Sequence, residues 1–223
     1  MGRNESRQFN MSVEGVNCER LYFKHLAKLI NGSGRNQYNL KISPKAMTPF
    51  QYAKRNAYKP VEKLPYIHIQ DIEDYYDDAQ RKKFYGVIDE MRKAESTFGI
   101  SYRLGYSNYT FELWMLLHVA DMNYGVASRV AYLKPVNQYF HRNYKSLDDF
   151  KTEAEFQGIL NEFITLDAVF LAVSRAERIV KSNTAQEKIK ETYRKVAFYR
   201  DNPDVTVHEV VKLIFDTCGV KYG

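Results

Sequence analysis

Apolar residues recur along this chain with two periods, one of two residues and one near 3.6, and the alternation between them sketches a fold. Residues 7–13 (RQFNMSV) read as a short strand closed by Glu14 and Gly15. Leu21, Phe23, Leu26, Leu29 and Ile30 then follow at helical spacing across 17–30, and the glycine-bearing NGSG at 31–34 ends that helix. YNLKIS (38–43) is a second strand. Between 44 and 65 the period dissolves into prolines, lysines and tyrosines, with a partly helical piece around 50–58. PYIHIQ (65–70) restores strand character, and 79–97 is a charged helix with Phe84, Val87, Ile88 and Met91 as its buried stripe. GISYRLG (99–105) is the next strand, and Asn108 is a suitable N-cap for a helix through Ala120. Beyond Tyr124 the strand signal stops, and helices are expected near 153–181, 185–199 and 207–217.

Strands alternating with helices predict an α/β open sheet with crossover helices over residues 1–124. Residues 125–223 are expected to form a mainly helical C-terminal extension packed on that core as one compact unit. Composition agrees with a globular chain, since 44 % of its 223 residues are hydrophobic. Two cysteines, Cys18 and Cys218, lie far apart, which excludes a cysteine-built zinc site and argues against a disulfide framework. The polar start MGRNESRQFN has no signal-peptide character, and the apolar run 111–120 is too short to span a bilayer, so a soluble, cytoplasmic protein without membrane contact is expected. With 33 Lys and Arg against 27 Asp and Glu, the net charge of +6 suits a polyanionic partner.

Against that basic background the stretch IHIQDIEDYYDD (67–78) concentrates acids at Asp71, Glu73, Asp74, Asp77 and Asp78. Asp71 directly follows a buried strand, where a carboxylate is accessible only from a cleft, and carboxylates leaving a strand end can converge on a hard cation. Asp77 and Asp78 read instead as charge at the start of the following helix. Glu14 likewise ends a strand, at the edge of an open sheet where ligands bind, and Gly15 permits close backbone approach. Glu19 opens the following helix; its plain alternative is an acid complementing the helix dipole. In YSNYTFELWMLLH (106–118), Asn108 and Glu112 are four apart, and the apolar residues around Glu112 imply a buried carboxylate that needs a partner. Trp114 is expected to be packing, and His118 a satisfied core histidine.

In this order the three stretches resemble the RloB-like family. The matching residues are Val13, Glu14, Gly15, Glu19, Tyr22 and Phe23; Asp71 with Glu73 and Asp74; and Ser107, Asn108, Phe111, Glu112, Trp114, Leu116 and His118. The tail NPDVTVHEVVKLI (202–214) is similar to that family's closing motif. The resemblance implies a Toprim-like (Rossmannoid) fold and a phosphodiester-cleaving site dependent on Mg2+, or on Mn2+ in its place. Carried over, Glu14, Asp71, Glu73 and Asp74 would be metal ligands, and Glu14, Asp71, Glu19 and Glu112 the catalytic set. The implied role is a nuclease acting on DNA or RNA in anti-phage defence. Its alternative is a non-catalytic binding module partnered with an ATPase, because NGSGRN (31–36) lacks the ending of a Walker A loop. Three positions depart from the pattern: Glu73 stands for an aspartate, Tyr109 for a common proline, and NCE (17–19) for KTE. The basic stretch 41–63 and the Lys- and Arg-rich C-terminal helices could hold a nucleic-acid backbone; a solvated face is the competing reading.

Overall fold

The computed structural model describes residues 5–57 and 64–221. The expected helix end at residue 58, part of the basic stretch and residues 1–4 lie outside them. The chain forms β1 (Ser6–Phe9), β2 (Met11–Val13), α1 (Cys18–Gly32), β3 (Asn39–Ile42), β4 (Lys45–Ala46), α2 (Pro49–Asn56), β5 (Tyr66–Asp71), α3 (Asp78–Phe98), β6 (Tyr102–Asn108) and α4 (Glu112–Leu117). There follow α5 (Leu133–Tyr139), α6 (Leu147–Phe150), α7 (Glu153–Phe163), α8 (Leu166–Ala185), β7 (Lys190–Tyr193), β8 (Val196–Tyr199), β9 (Asp204–Val205) and α9 (Val207–Cys218).

The main sheet has the order β4-β2-β5-β6-β9, parallel except for the antiparallel β6–β9 pair. This is a mixed α/β fold compatible with a Rossmann-like arrangement. β5 lies between β2 and β6 and is buried along its whole length. Alternation along the strands divides the two faces. Met11, Val13, Ile67 and Ile69 join the large apolar core with side chains of α1, α4, α8 and α9. On the opposite face Leu104 and Tyr106 pack with Phe84, Ile88 and Met91 of α3 and with Phe198 of β8. After β2 the chain goes to β4 on one side and then crosses to β5 on the other. The carboxyl ends of β2 and β5 therefore flank the point where strand order reverses, the crevice in which open α/β sheets bind ligands.

A second pairing explains a break at the sheet edge. β1 pairs with β3, and β2 with β4, in the same register, Phe9 opposite Ile42 and Ser12 opposite Lys45. One parallel ladder is thus interrupted around Asn10–Met11 and Ser43–Pro44. At the break the Met11 N–H donates to the Tyr52 hydroxyl at 3.2 Å rather than to the neighbouring strand.

Several expectations are corrected. The strand 7–13 is two strands parted at Asn10. The strand expected over 99–105 is shifted, because Gly99 takes a left-handed C-cap of α3 and β6 runs on to Asn108. Asn108 is consequently not a helix N-cap and does not share a helical face with Glu112; Phe111 stands before α4. The long helix 153–181 is two helices, broken at Ile164 and Thr165, where the Thr165 hydroxyl caps α8. The helix 185–199 is the β7–β8 hairpin, and β9 places another C-terminal strand in the main sheet. Residues 125–223 thus contribute strands as well as helices. Asp77 and Asp78 do start α3, with Asp77 accepting from Gln80 N–H at 2.9 Å. Among the described residues no single helix is long and apolar enough to cross a membrane.

Candidate active site

A cleft of roughly 220 Å³ opens at the carboxyl ends of β2 and β5, lined by Glu14, Gly15, Val16, Asn17, Cys18, Glu19, Asp71, Glu73, Phe111 and Lys151. Backbone pairing sets Glu14 beside β5, because its N–H donates to Ile69 O at 3.0 Å. The Glu14 carboxylate accepts from the Asp71 N–H at 3.1 Å, from the Gln70 amide and from Lys83 Nζ at 2.5 Å. Behind Gln70 a polar file crosses the sheet. Ser12 Oγ lies 2.8 Å from His68 Nδ1, and His68 Nε2 lies 3.2 Å from Gln70 Oε1. Gln70 Oε1 can only accept, so His68 carries its proton on Nε2 and Ser12 donates to Nδ1. Burial drives the His68 imidazole down to about 4, so it stays neutral. The file fixes one rotamer of Glu14.

Asp71 is buried, and its Oδ2 is 3.1 Å from Thr110 Oγ1. Its Oδ1 has no partner among the described residues. Burial pushes this carboxyl well above the usual range, with repulsion from Glu19, Glu14 and Glu112 adding to the effect. Glu112, 1 % exposed, takes the other contact of the Thr110 hydroxyl and pairs with Lys151 Nζ at 2.9 Å. Burial opposes the Lys151 charge, yet Glu112 and Asp71 outweigh it and hold the ammonium above its ordinary value.

Glu19 is buried in the first turn of α1, and burial raises it to about 7. Its carboxylate folds back over Gly15 so closely that a Cβ at that position would collide with it. Glycine is needed there for close approach, not for an unusual φ. Glu73 lines the cleft from a left-handed backbone conformation, φ 60°, which redirects the chain beyond β5. Burial raises its carboxyl, and Arg129, 3.7 Å away, works against that. Asp74 does not line the cleft; it is exposed and accepts from Tyr76 N–H at 2.9 Å.

Glu14, Glu19, Asp71, Glu73 and Glu112 thus gather around a cleft whose nearby cations are Lys83, Lys151 and Arg129. Carboxylate oxygens are the donors a hard divalent cation requires, and the orphaned Asp71 Oδ1 is an open one. The donor chemistry fits, but the ligands are not drawn together. Among the described residues no three His, Cys, Asp or Glu side chains are placed to hold an ion between them. Lys83 occupies Glu14 in that arrangement.

A family model for the RloB-like protein matches residues 11–214. The chain belongs to the RloB-like family. No curated protein matches it. Of the other motif residues in this RloB-like chain, Ser107 sits beside Asp71 in the β5–β6 register. Asn108 donates to Arg200 O at 3.0 Å, tying β6 to the chain after β8. Trp114 is fully buried, edge-on to Tyr22 and His118. His118 donates from Nδ1 to Trp114 O at 2.9 Å and faces the Tyr22 hydroxyl with Nε2 at 3.1 Å. It is a satisfied core histidine, remote in chemistry from the acids.

The sequence reading missed Lys151, Thr110, Gln70 and Lys83. Thr110 lies inside the recognised motif, and Gln70 is a polar residue in a strand too apolar for a solvent face. Both carried a signal. Lys151 follows α6, and Asn17 Nδ2 holds its carbonyl at 3.1 Å, an association no local pattern reveals. Cys18 lines the cleft, but burial raises its thiol far above the ordinary range, which removes it as a nucleophile.

Proposed function

We propose that this RloB-like protein is a Toprim-related, metal-dependent nuclease. The observation that carries the reading is the placement of Glu14 and Asp71 at adjoining strand ends of the switch point, with Asp71 Oδ1 unpartnered. Glu14 and Asp71, with Glu73 at the rim, would hold Mg2+ or Mn2+, which when bound supplies charge neutralisation at phosphorus and a more acidic water.

The chain's own residues do the rest. The Ser12–His68–Gln70 file orients Glu14, and the Asp71 amide anchors the same oxygen. Glu19, poised near neutrality at the cleft wall, can take or return a proton there. Lys151 balances Glu112 and Asp71 and presents a cation to a phosphoryl oxygen. A role in phage defence follows from the family resemblance alone.

A second reading has its own observation. Because Lys83 occupies Glu14 and no three acids converge among the described residues, a site that recognises without cleaving is the competing proposal, with an ATPase as its candidate partner. Cleavage of DNA and RNA panels with Mg2+ or Mn2+ separates the two. Glu14→Gln and Asp71→Asn should each lower cleavage by about 100-fold or more while remaining folded. Wild-type protein that cleaves no substrate with either metal or with an ATPase present sinks the nuclease.

A further inference from the structure

The interrupted ladder at the sheet edge opens a second, larger cleft of about 670 Å³ between β1–β2 and β3–β4. Lys41, Lys45 and Arg55 line it together with Asn10, Asn56 and Tyr52, whose hydroxyl accepts the Met11 N–H. No carboxylate lines it among the described residues. Arg55 reaches Met47 Sδ at 3.9 Å, and among the described residues no ion pair is formed by Lys41, Lys45 or Arg55. A cavity whose charged lining residues are all cations is suited to an anion.

A third cleft shares walls with both this cleft and the acidic one. It has about 590 Å³, is lined also by Lys83 and Glu90, and shares Ala46 and Met47 with the basic cleft and Glu14 and Val16 with the acidic cleft. The three clefts thus follow one another from the ladder break at the sheet edge, past β4, to the carboxyl ends of β2 and β5. The basic and middle clefts are of a size that takes one small ligand each.

We propose that this run of clefts binds one polynucleotide strand, with Lys41, Lys45 and Arg55 holding its phosphates at one end. The other end then presents a phosphodiester to Glu14 and Asp71. The proposal extends the nuclease reading by saying how the substrate is held, but binding does not require cleavage. A solvated basic face does not account for the run of clefts that leads from these cations to the acids.

The test is fluorescence anisotropy of fluorescein-labelled single-stranded oligo(dT) and oligo(U), with a matched duplex, in EDTA so that nothing is cleaved. Full-length wild type is compared with Lys41→Gln/Lys45→Gln/Arg55→Gln and with Glu14→Gln, each checked for folding by circular dichroism. Loss of the three cations should reduce the salt slope by about 2. The advantage of wild type over the triple variant should accordingly shrink about 20-fold between 50 and 200 mM salt. Glu14→Gln should bind the strand at least as tightly as wild type. Wild type that fails to bind, or a triple variant that binds equally, overturns the proposal. So does a mononucleotide that competes as tightly as the strand, which would mark a nucleotide pocket instead. Wild type that binds through the three cations but never cleaves with added metal overturns only the nuclease reading.

Discussion

Asp71 and Glu112 reach the same hydroxyl, that of Thr110, from opposite sides. One hydroxyl has one hydrogen to donate, so the two carboxyls cannot both accept it. Burial lifts the Asp71 carboxyl, so the second proton belongs to Asp71. Thr110→Val strands both acids and should cost about 1–3 kcal/mol in urea unfolding. Thr110→Ser, which keeps the hydroxyl, should lie close to wild type; equal losses in both variants would show that the methyl group, not the proton, is what matters.

Gly15→Ala tests the approach of Glu19 to the turn. The added methyl must push the carboxylate out of its place, because the backbone around it is fixed by β2 and α1. Expected is a protein with a melting temperature near that of wild type and cleavage reduced by about 10-fold or more. Unchanged cleavage would remove Glu19 from the machinery.

Lys151→Met removes one partner of a largely buried ion pair and leaves Glu112 uncompensated. Lys151 keeps 27 % side-chain exposure, so the loss should fall toward the low side of that for a fully buried pair, about 2–3 kcal/mol. The double variant Lys151→Met/Glu112→Gln should recover part of it. Additive losses across the double-mutant cycle would mean that the pair is not coupled.

His118 makes acid stability predictable. Burial lowers its imidazole from 6.5 to about 4 in the folded chain. The unfolded chain takes up a proton below about pH 6.5 and the folded one does not, so this contribution is intact above 6.5 and is lost as pH falls toward 4. It amounts to about 3 kcal/mol. Histidine resonances followed by NMR should show His118 still neutral at pH 5.5, and His118→Gln should flatten the decline in stability between pH 6.5 and 4. Titration of His118 near 6.5 would refute the buried assignment.

The parts of this fold that follow local rules could be read in advance. α1 and α9 show their apolar stripes, β5 its β-rich run, and α3 both its Asp77 cap and its glycine stop. The β7–β8 hairpin could not, because its turn uses Arg194 and Lys195 in left-handed conformations where the usual signal is Asn-Gly. What holds it is distant: Tyr193 stacks on Tyr85 at 4.1 Å, and Phe198 meets Phe84 edge-on. Its alternating charged residues mimic a solvated helix until that packing is known. β9 is only two residues long, too short for any periodicity, and it is what extends β6 through Asn108. The same division holds in the cleft. Acids at strand ends announce themselves, whereas Lys151 arrives from a loop whose position depends on how α6 and α7 pack.

The shortness of β9 bears on how this protein can be handled. Its two residues cover the Ser107–Asn108 edge beside the acidic cleft, and the Tyr106 hydroxyl fastens it by donating to Asp204 at 2.6 Å. A fragment ending near residue 124 would keep every acid yet bare that edge, offering its unpaired N–H and C=O groups as a template for strand addition by neighbouring chains. Such a truncation would be expected to aggregate, so the acidic cleft cannot be trimmed free of the C-terminal half and still be studied as a monomer.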